Sequence, residues 1–392
     1  MVAVVYTKTA AKNTTTVTKS AVSSDASTEI IHASSKKELA LLQTSERVLY
    51  YEDGAPPVIG IHAMVPSEDH TRTTEIVYAL PETNSANEDI HGIALLLHGC
   101  SHNALKFFSP SALCETCIGL SEELRISRIL LQQQTLAVMA VTSKNRKNGC
   151  WSNQDVLPVQ DSLKYIMNII QQKQPQQTTH TEQLPVLAFG ASSGGSFAAQ
   201  LAVQRIAQAA MVGVMSLGDA LATKWKHLDD TKKPPIYLAP MPNDQRTTKG
   251  TMRDYELMKG AFAEDGNNPV ILDVDTCASM PVTASFLNEC VPHMTVDMAE
   301  MIMSALVKSG HVDMNDGFLK KDPTKSDWRP ILQNECGNEG CLNQQPLGPG
   351  ISPLAKALHR AWAFHEYCSE VTLKALAFFQ RELGGPAFLK NP

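Results

Sequence analysis

The sequence has no apolar run long enough to cross a membrane as a helix. Such a helix needs about 20 predominantly apolar residues, and no stretch of this chain reaches about 18 without interruption. The most apolar region, Leu201 to Leu217, is interrupted by Gln204 and Arg205 and predicts a helix followed by a strand. We therefore expect a soluble protein without a transmembrane segment.

A basic excess is missing as well. The 40 aspartate and glutamate residues outnumber the 34 lysine and arginine residues, and the formal net charge at pH 7 is −6. A nucleic-acid-binding domain carries a basic patch or stripe that meets the phosphates. The charge balance therefore argues against a nucleic-acid partner.

Arginine and acidic residues are absent from the first 24 residues, which are rich in threonine and serine. A transit peptide is poor in acidic residues but usually rich in arginine, and a disordered tail has a similar polar composition. We expect residues 1–45 to be a disordered or targeting segment and residues 46–392 to form one domain. An organelle and the cytoplasm both stay open as the compartment.

The cysteines carry no clear metal signature. Nine are present, at positions 100, 114, 117, 150, 277, 290, 336, 341 and 368. Cys114 and Cys117 form one local pair and Cys336 and Cys341 another, but a structural zinc site would need two such pairs brought together. We expect no metal and no cofactor, and both disulfides and buried thiols remain open.

Two phosphate-binding motifs are also lacking, since no Gly-Lys-Ser/Thr ending and no G-x-G-x-x-G spacing is present near the glycine-rich turn. That turn is Gly190-Ala191-Ser192-Ser193-Gly194, between a buried apolar run and an alanine-rich helical pattern. G-x-S-x-G in this context is typical of a nucleophile elbow. Ser192 is then the nucleophile, and Gly190 and Gly194 lie where a Cβ atom would not fit.

A serine nucleophile needs a base and an orienting carboxylate, which follow it in the chain order Ser, Asp or Glu, His. Asp244 lies just beyond a predicted strand, where ligands gather in open α/β sheets, and is the predicted acid. The alternatives are a turn aspartate that only caps the next helix, or Asp219 as the acid. Asp273 and Asp275 alternate within a strand and are predicted to be structural or exposed.

Three histidines follow at a useful distance, His293, His311 and His365. The base is expected in a loop just before the final helix, because that helix returns the chain beside the elbow. His365 directly precedes the helical pattern Glu370–Glu382 and is the predicted base. His311 follows a glycine but has no terminal helix after it.

The oxyanion hole needs backbone N–H donors beside the nucleophile. One is the N–H of Ser193, at the start of the helix after the elbow. The second comes from the loop after the third strand, where the chain has His98-Gly99-Cys100, so the Cys100 N–H is the predicted donor. His98 is expected to order this loop and to transfer no proton.

Apolar runs bounded by turns alternate with helical periodicities, which predicts a mostly parallel sheet with helices on both faces. The predicted strands are Arg47–Tyr51, Val58–Val65, Glu75–Ala79, Ile93–Leu97, Leu136–Thr142, Leu184–Phe189, Ala210–Ser216, Pro235–Ala239 and Val270–Val274. Residues 277–358 break the alternation with proline, glycine and short helices, among them Val296–Lys308. This segment is predicted to be an insertion after the last strand.

From about Arg47 to Leu383 the chain resembles the α/β-hydrolase superfamily. It also resembles a little-characterised group of plant and algal α/β-hydrolases. The strings that carry this likeness are His98-Gly99-Cys100, Cys114-x-x-Cys117-Ile118-Gly119-Leu120, Cys150-Trp151, Gly190-Ala191-Ser192-Ser193-Gly194-Gly195, Met241-Pro242-x-Asp244 and Phe364-His365-Glu366. The resemblance implies an α/β-hydrolase fold and serine-hydrolase chemistry and favours Asp244 and His365.

These residues predict a carboxylesterase- or lipase-like serine hydrolase that cleaves a small-molecule ester or a lipophilic acyl substrate. The alternatives are a catalytically silent ligand-binding protein of the same fold and an acyltransferase that uses the same triad. The segment 277–358 is expected either to cover the pocket, with Met298, Met301, Ile302 and Met303 lining it, or to pack elsewhere as scaffold. The oligomeric state stays open.

Overall fold

The computed structural model describes residues 57–81, 89–145, 147–173, 184–229, 233–260, 271–292, 294–336, 352–384 and 388. The predicted segment 1–45 and the predicted strand Arg47–Tyr51 lie outside these residues. So do His293 and Cys341.

Eight strands within these ranges form one sheet. They are β1 (Ile61–Pro66), β2 (Thr73–Ala79), β3 (Gly92–Leu97), β4 (Leu136–Val141), β5 (Val186–Ala191), β6 (Ala209–Gly213), β7 (Ile236–Ala239) and β8 (Leu272–Val274). Their order in the sheet is β1-β2-β4-β3-β5-β6-β7-β8, and β2 pairs antiparallel with both of its neighbours, β1 and β4. Strands β3 to β8 are parallel, as the near-continuous apolar sequences of β3, β4 and β5 predict.

The described residues contain ten α-helices, which follow or connect the strands. They are α1 (Ser121–Gln132), α2 (Val156–Lys173), α3 (Ser193–Val203), α4 (Asp219–Lys226), α5 (Gln245–Lys259), α6 (Ala284–Cys290), α7 (Val296–Lys308), α8 (Trp328–Cys336), α9 (Pro353–Ala361) and α10 (Thr372–Leu383). Short 3₁₀ turns precede α1, α2 and α10 at Ala104–Lys106, Asn153–Asp155 and Ser369–Val371.

Helices cover both faces of the sheet. On one face α1 and α10 bury Leu130, Leu376 and Phe379 against the strands. On the other face α2 and α3 bury apolar side chains such as Ile166 and Leu201, and α4 and α5 cover the β7 and β8 edge. This is the α/β-hydrolase fold that the sequence predicts, with the carboxyl ends of β3, β5 and β7 at one edge.

The segment between β8 and α10 holds helices α6 to α9, which enclose a hydrophobic core of their own around Leu287, Ile302, Trp328 and Leu358. Helix α9 also packs against α1, so that α9 lies beside the sheet domain. No helix of the described residues combines the length and the apolar character needed to span a membrane.

Two element boundaries differ from the sequence prediction for a visible reason. Strand β1 begins at Ile61 and not at Val58, because Val58 pairs with Ser109 outside the sheet through two hydrogen bonds of 3.0 and 2.9 Å. The periodicity of the sequence predicts a helix over Thr251–Ala263, but α5 begins six residues earlier, at Gln245, because the carboxylate of Asp244 caps it.

Candidate active site

Ser192 occupies the sharp turn between β5 and α3. Its backbone has φ 54° and ψ −128°, a combination that non-glycine residues rarely adopt and that costs on the order of 1–3 kcal/mol. The Ser192 N–H donates to the carbonyl of Gly213 on the neighbouring strand at 2.9 Å, which anchors the strained residue to the sheet. The turn has the backbone expected of a nucleophile elbow.

The glycines on either side of Ser192 are required by close backbone packing. A Cβ atom on Gly190 would lie 2.2 Å from the carbonyl oxygen of Gly194, and one on Gly194 would lie 2.1 Å from that of Leu97. Both obstacles are backbone atoms, which cannot rotate away. The turn therefore accepts only glycine at these two positions.

His365 lies beside Ser192, with its Nε2 atom 2.9 Å from the Ser192 hydroxyl. Its Nδ1 atom lies 2.6 Å from Oδ2 of Asp244. An ionised carboxylate only accepts hydrogen bonds, so Nδ1 is the donor and Nε2 is left to accept from the serine. The structure thus brings together the three side chains that the sequence predicts as nucleophile, base and acid.

Asp244 combines two roles that the sequence analysis treats as alternatives. It is the N-cap of α5, where Oδ1 accepts from the Thr247 N–H at 3.4 Å, and its Oδ2 meets His365. Burial alone would raise the pKa of this carboxyl, but the hydrogen bonds from His365 and Thr247 outweigh it and lower the pKa below its usual value. Asp244 is therefore held as an anion.

The competing residues lie elsewhere. His311 is buried and contacts Ser309 at 3.0 Å and Asp327 at 3.1 Å, within the segment that precedes α9. Asp219 is exposed and forms an ion pair with Arg253 at 2.8 Å. Asp275 meets Lys374 in an exposed ion pair. His311 and these carboxylates therefore have partners of their own, apart from Ser192.

Asn243 joins the loop that carries Asp244 to the loop that carries His365. Its side-chain amide donates to the carbonyl of Trp362 at 2.5 Å, and its backbone N–H donates to that of Ala363 at 3.3 Å. The His365 loop needs such support, because Ala363 and His365 both have positive φ, 54° and 46°.

The loop after β3 passes close to the elbow. A Cβ atom on Gly99 would lie 3.5 Å from Cβ of Ser192. His98 is fully buried, donates through Nδ1 to its neighbour's carbonyl at 2.7 Å, and accepts from the Ser143 N–H at 3.0 Å. His98 thus orders the loop, as predicted. The second predicted donor, Ser193, is the first residue of α3, and such N–H groups have no acceptor within their helix.

A disulfide between Cys100 and Cys150 ties this loop to the segment after β4. Two hydrogen bonds reinforce the link, from the Ser101 N–H to Asn148 at 2.7 Å and from the Trp151 indole to His98 at 2.7 Å. The spacing of the cysteines in the sequence leaves this pairing open. The proposed oxyanion donor at position 100 therefore belongs to a residue held by a covalent bond.

Two more disulfides are present in the described residues. Cys114 and Cys117 are bonded as a local pair, and Cys277 is bonded to Cys368, close to the His365 loop. Cys290 is a buried free thiol whose pKa is raised by burial. Within the described ranges no group of three or more His, Cys, Asp or Glu side chains is placed to hold a metal ion.

A small cavity of about 100 Å³ opens beside the Ser192 hydroxyl. Its walls come from the loop after β3, the turn at Ser192, helices α1 and α9 and the loop that carries His365. The lining residues are Gly99, Cys100, His102, Glu123, Ala191, Ser192, Lys356, His365, Glu366 and Tyr367. Three of these carry charged side chains that are buried or nearly so, namely Glu123, Lys356 and Glu366.

This lining differs from the apolar one of the first alternative, in which the segment 277–358 covers the pocket with its apolar side chains. Met298, Met301, Ile302 and Met303 are not among the lining residues. Ile302 is fully buried in the core formed by α6 to α9, and Met301 is 46% exposed. Helix α7 uses its apolar face to hold the insertion together, because that face is the one that meets α6 and α8. The insertion reaches the cavity through the Lys356 side chain of α9.

Lys356 and Glu366 form an ion pair of 2.6 Å in the cavity wall. Burial would raise the pKa of Glu366, but the charges of Lys356 and then His359 outweigh it and lower the pKa to about 2. Burial lowers the pKa of Lys356, but Glu366 and then Glu123 outweigh it and raise the pKa above its usual value. The two side chains therefore keep their charges over the physiological range.

Known proteins resemble this chain only distantly. Among solved structures, a thermostable esterase matches with a TM-score of 0.36 and 11% identity, over 62% of this chain and 60% of its own. A ferulic acid esterase matches with a TM-score of 0.40 and 12% identity, over 56% of this chain and 89% of its own. An acylaminoacyl peptidase from Pyrococcus horikoshii matches with a TM-score of 0.38 and 13% identity, over 57% of this chain and 37% of its own.

The chain thus spans less than two thirds of the thermostable esterase and of the peptidase. No family model and no curated protein matches it. Identities and scores this low assign no activity to the chain. The resemblance to a plant and algal group of hydrolases stays a prediction.

For several residues near Ser192, no signal in the sequence indicates that they belong to the site. Glu123 lies in the first turn of a helix that the periodicity of Leu120–Gln133 predicts, and Lys356 lies in the predicted insertion 277–358. Tyr367, fully buried, donates its hydroxyl to the carbonyl of Leu97 below the elbow. Only Glu366 belongs to a string singled out beforehand. More than 200 residues of sequence separate Glu123 from Lys356, Glu366 and Tyr367, so only the fold reveals that they meet.

Proposed function

We propose that this protein is a serine hydrolase that cleaves carboxylic esters through Ser192, His365 and Asp244. The observation that carries the proposal is the pair of hydrogen-bond contacts that runs from the Ser192 hydroxyl through the His365 imidazole to Asp244, at 2.9 and 2.6 Å. Such a chain, on an elbow that exposes the serine, is the arrangement that activates a hydroxyl for attack on an acyl carbon.

In the first half of the reaction, Ser192 Oγ attacks the ester carbonyl carbon while Nε2 of His365 takes its proton. The anionic Asp244 stabilises the imidazolium that forms. The negative charge on the former carbonyl oxygen is met by the N–H groups of Cys100 and Ser193. The tetrahedral intermediate collapses, and the alcohol leaves with the proton from His365.

In the second half, water attacks the acyl group on Ser192. His365 takes a proton from this water and returns it to Ser192 Oγ as the acid product leaves, so the enzyme is regenerated. An alcohol in place of water would give acyl transfer with the same residues. Hydrolysis is favoured here because the His365 side chain is 39% exposed, which lets water reach the base.

The test is covalent labelling with a fluorophosphonate probe, followed by turnover of short-chain p-nitrophenyl esters. The Ser192→Ala variant should lose labelling, and its ester turnover should fall on the order of 10³-fold or more while the protein stays folded. Ser193→Ala is the matched control, because the Ser193 hydroxyl has no hydrogen-bond partner among the described residues and only its backbone N–H is used.

Two results would refute the proposal. One is an active Ser192→Ala variant beside an inactive Ser193→Ala variant. The other is a wild-type protein that is neither labelled nor active on any ester, which would favour a ligand-binding protein without catalysis.

A further inference from the structure

The cavity beside Ser192 contains a buried carboxylate with a free oxygen. Glu123 is 1% exposed, and its Oε1 atom accepts from Nδ1 of His102 at 3.0 Å. Its Oε2 atom is buried and has no hydrogen-bond partner among the described residues. A buried acceptor without a partner is costly, so the site is one where a donor from a ligand would be stabilising.

The same cavity presents a donor. Lys356 Nζ carries three N–H bonds, of which the contact with Glu366 Oε1 uses one. Lys356 and Glu123 both belong to the lining of this cavity. Acceptor and donor therefore line one small space.

The charges in the wall restrict what fits. A carboxylate would meet Glu123 and Glu366, and an ammonium group would meet Lys356, so each would face a like charge in a site of low dielectric. A purely apolar group would leave Glu123 Oε2 unpaired. A hydroxyl both donates and accepts, and it carries no charge.

We infer that this cavity binds a hydroxyl group carried by the substrate next to the ester that Ser192 attacks, with the hydroxyl donating to Glu123 and accepting from Lys356. The inference rests on the proposed function and names its substrate class, the esters of small hydroxylated acids or alcohols. The cavity volume of about 100 Å³ is below the roughly 300–1,000 Å³ of drug-sized sites, which limits the group to a few heavy atoms.

The experiment compares esters that differ by one hydroxyl. For the acyl side these are p-nitrophenyl butyrate and p-nitrophenyl 3-hydroxybutyrate, and for the alcohol side propyl acetate and 2-hydroxypropyl acetate. We expect kcat/KM to be higher for the hydroxylated member by at least about tenfold in one of the two pairs, because only that member pairs the buried carboxylate. The pair that responds identifies the side of the ester that enters the cavity.

The variant Glu123→Gln tests the assigned residue. Its amide oxygen is taken by His102 Nδ1, so its NH₂ group faces the cavity and the acceptor is lost. The ratio of kcat/KM for the hydroxylated ester to kcat/KM for the ester without the hydroxyl should then fall towards one. Glu122→Gln is the matched control, since Glu122 is a buried carboxylate in the same turn that bonds to Arg125 and Ser369 and does not line the cavity. The kcat/KM ratio of the Glu122→Gln variant should equal that of the wild type.

Equal kcat/KM values within both ester pairs, on an enzyme that is labelled at Ser192, would overturn this inference and leave the proposed function standing. An unchanged preference in Glu123→Gln would overturn the role of Glu123. A protein that is neither labelled nor active would overturn both the proposed function and the inference that rests on it.

Discussion

The side-chain amide of Asn243 donates to the carbonyl of Trp362 at 2.5 Å, and this bond joins two segments that are 119 residues apart. Asn243 precedes Asp244, and Trp362 lies three residues before His365. The distance between the imidazole and its carboxylate is therefore set by the register of two loops, in addition to the contact between the two side chains themselves.

We expect Asn243→Ala to lower kcat by about 10- to 100-fold with a smaller change in KM, because a shift of about 1 Å in the base costs up to roughly 10²-fold. Asn288→Ala is the control, since Asn288 makes the same kind of bond, to Met294 at 2.6 Å, within the α6–α7 connection. Steady-state kinetics on both variants checks this. Equal losses in the two would show that Asn243 acts only through stability.

His365→Ala should be as damaging as loss of the serine, with kcat reduced on the order of 10³-fold or more. The reduction in kcat for Asp244→Asn should approach that for His365→Ala, because an amide in place of the anion disturbs the tautomer of the imidazole. His311→Ala should keep kcat within a few-fold but lower the free energy of unfolding by about 1–3 kcal/mol, since it removes a buried partner of Asp327. An inactive His311→Ala beside an active His365→Ala would reverse the assignment.

Gly194→Ala should abolish activity and destabilise the fold, because the added Cβ would meet the carbonyl oxygen of Leu97 at 2.1 Å. Gly260→Ala is the matched control. Its φ is −61°, its nearest obstacle is 3.5 Å away, and alanine there should be neutral or slightly stabilising. Thermal unfolding and ester turnover of the two variants measure the difference. A fully active Gly194→Ala would mean that the elbow packs differently.

Lys356→Gln should lower the free energy of unfolding by about 3–5 kcal/mol near neutral pH, because it leaves Glu366 buried without its main partner. The folded-state pKa of Glu366 is lowered, from 4.5 to about 2, so its stabilisation is complete above pH 4.5 and is lost as the pH falls towards 2. The pKa of Lys356 is raised, so its stabilisation is complete below pH 10.5 and lost above the raised value.

Urea unfolding of the wild type and Lys356→Gln at several pH values tests this pair. The difference in the free energy of unfolding should be constant between about pH 5 and 10 and should shrink below pH 4.5. A difference that is the same at pH 7 and pH 3 would show that Lys356 stabilises the fold by packing and not by its charge.

Local signals predict the sheet and a tight strand-to-helix turn at Ser192, and the structure has both. Buried parallel strands such as β3 and β5 are continuous apolar runs, and the two glycines around Ser192 are dictated by backbone contacts within a few residues. Asp244 and His365 are found from the order of the chain and from their position after a strand and before the last helix. The structure places both within hydrogen-bond distance of the groups they are expected to meet.

The lining of the cavity is not predictable in this way. The methionines of α7 form an apolar stripe whose sequence cannot say whether it faces a pocket or other helices, and the structure has it packed mainly inside the insertion. Nothing in the sequence around Glu123 or Lys356 marks either side chain as buried. Their burial follows from the packing of α9 on α1, a contact between segments more than 200 residues apart.

The Cys100–Cys150 disulfide makes the structure of the loop after β3 depend on the oxidation of two cysteines. The sequence motifs give no sign of this dependence. Cys150 follows Cys100 by 50 residues, and β4 and α1 lie between them. The bond can therefore form only after all of these residues have been synthesised and the two thiols have been oxidised. A preparation from a reducing host would contain molecules with and without the bond. Its specific activity would then report the oxidised fraction as well as the purity, and titration of free thiols would be needed before two preparations are compared.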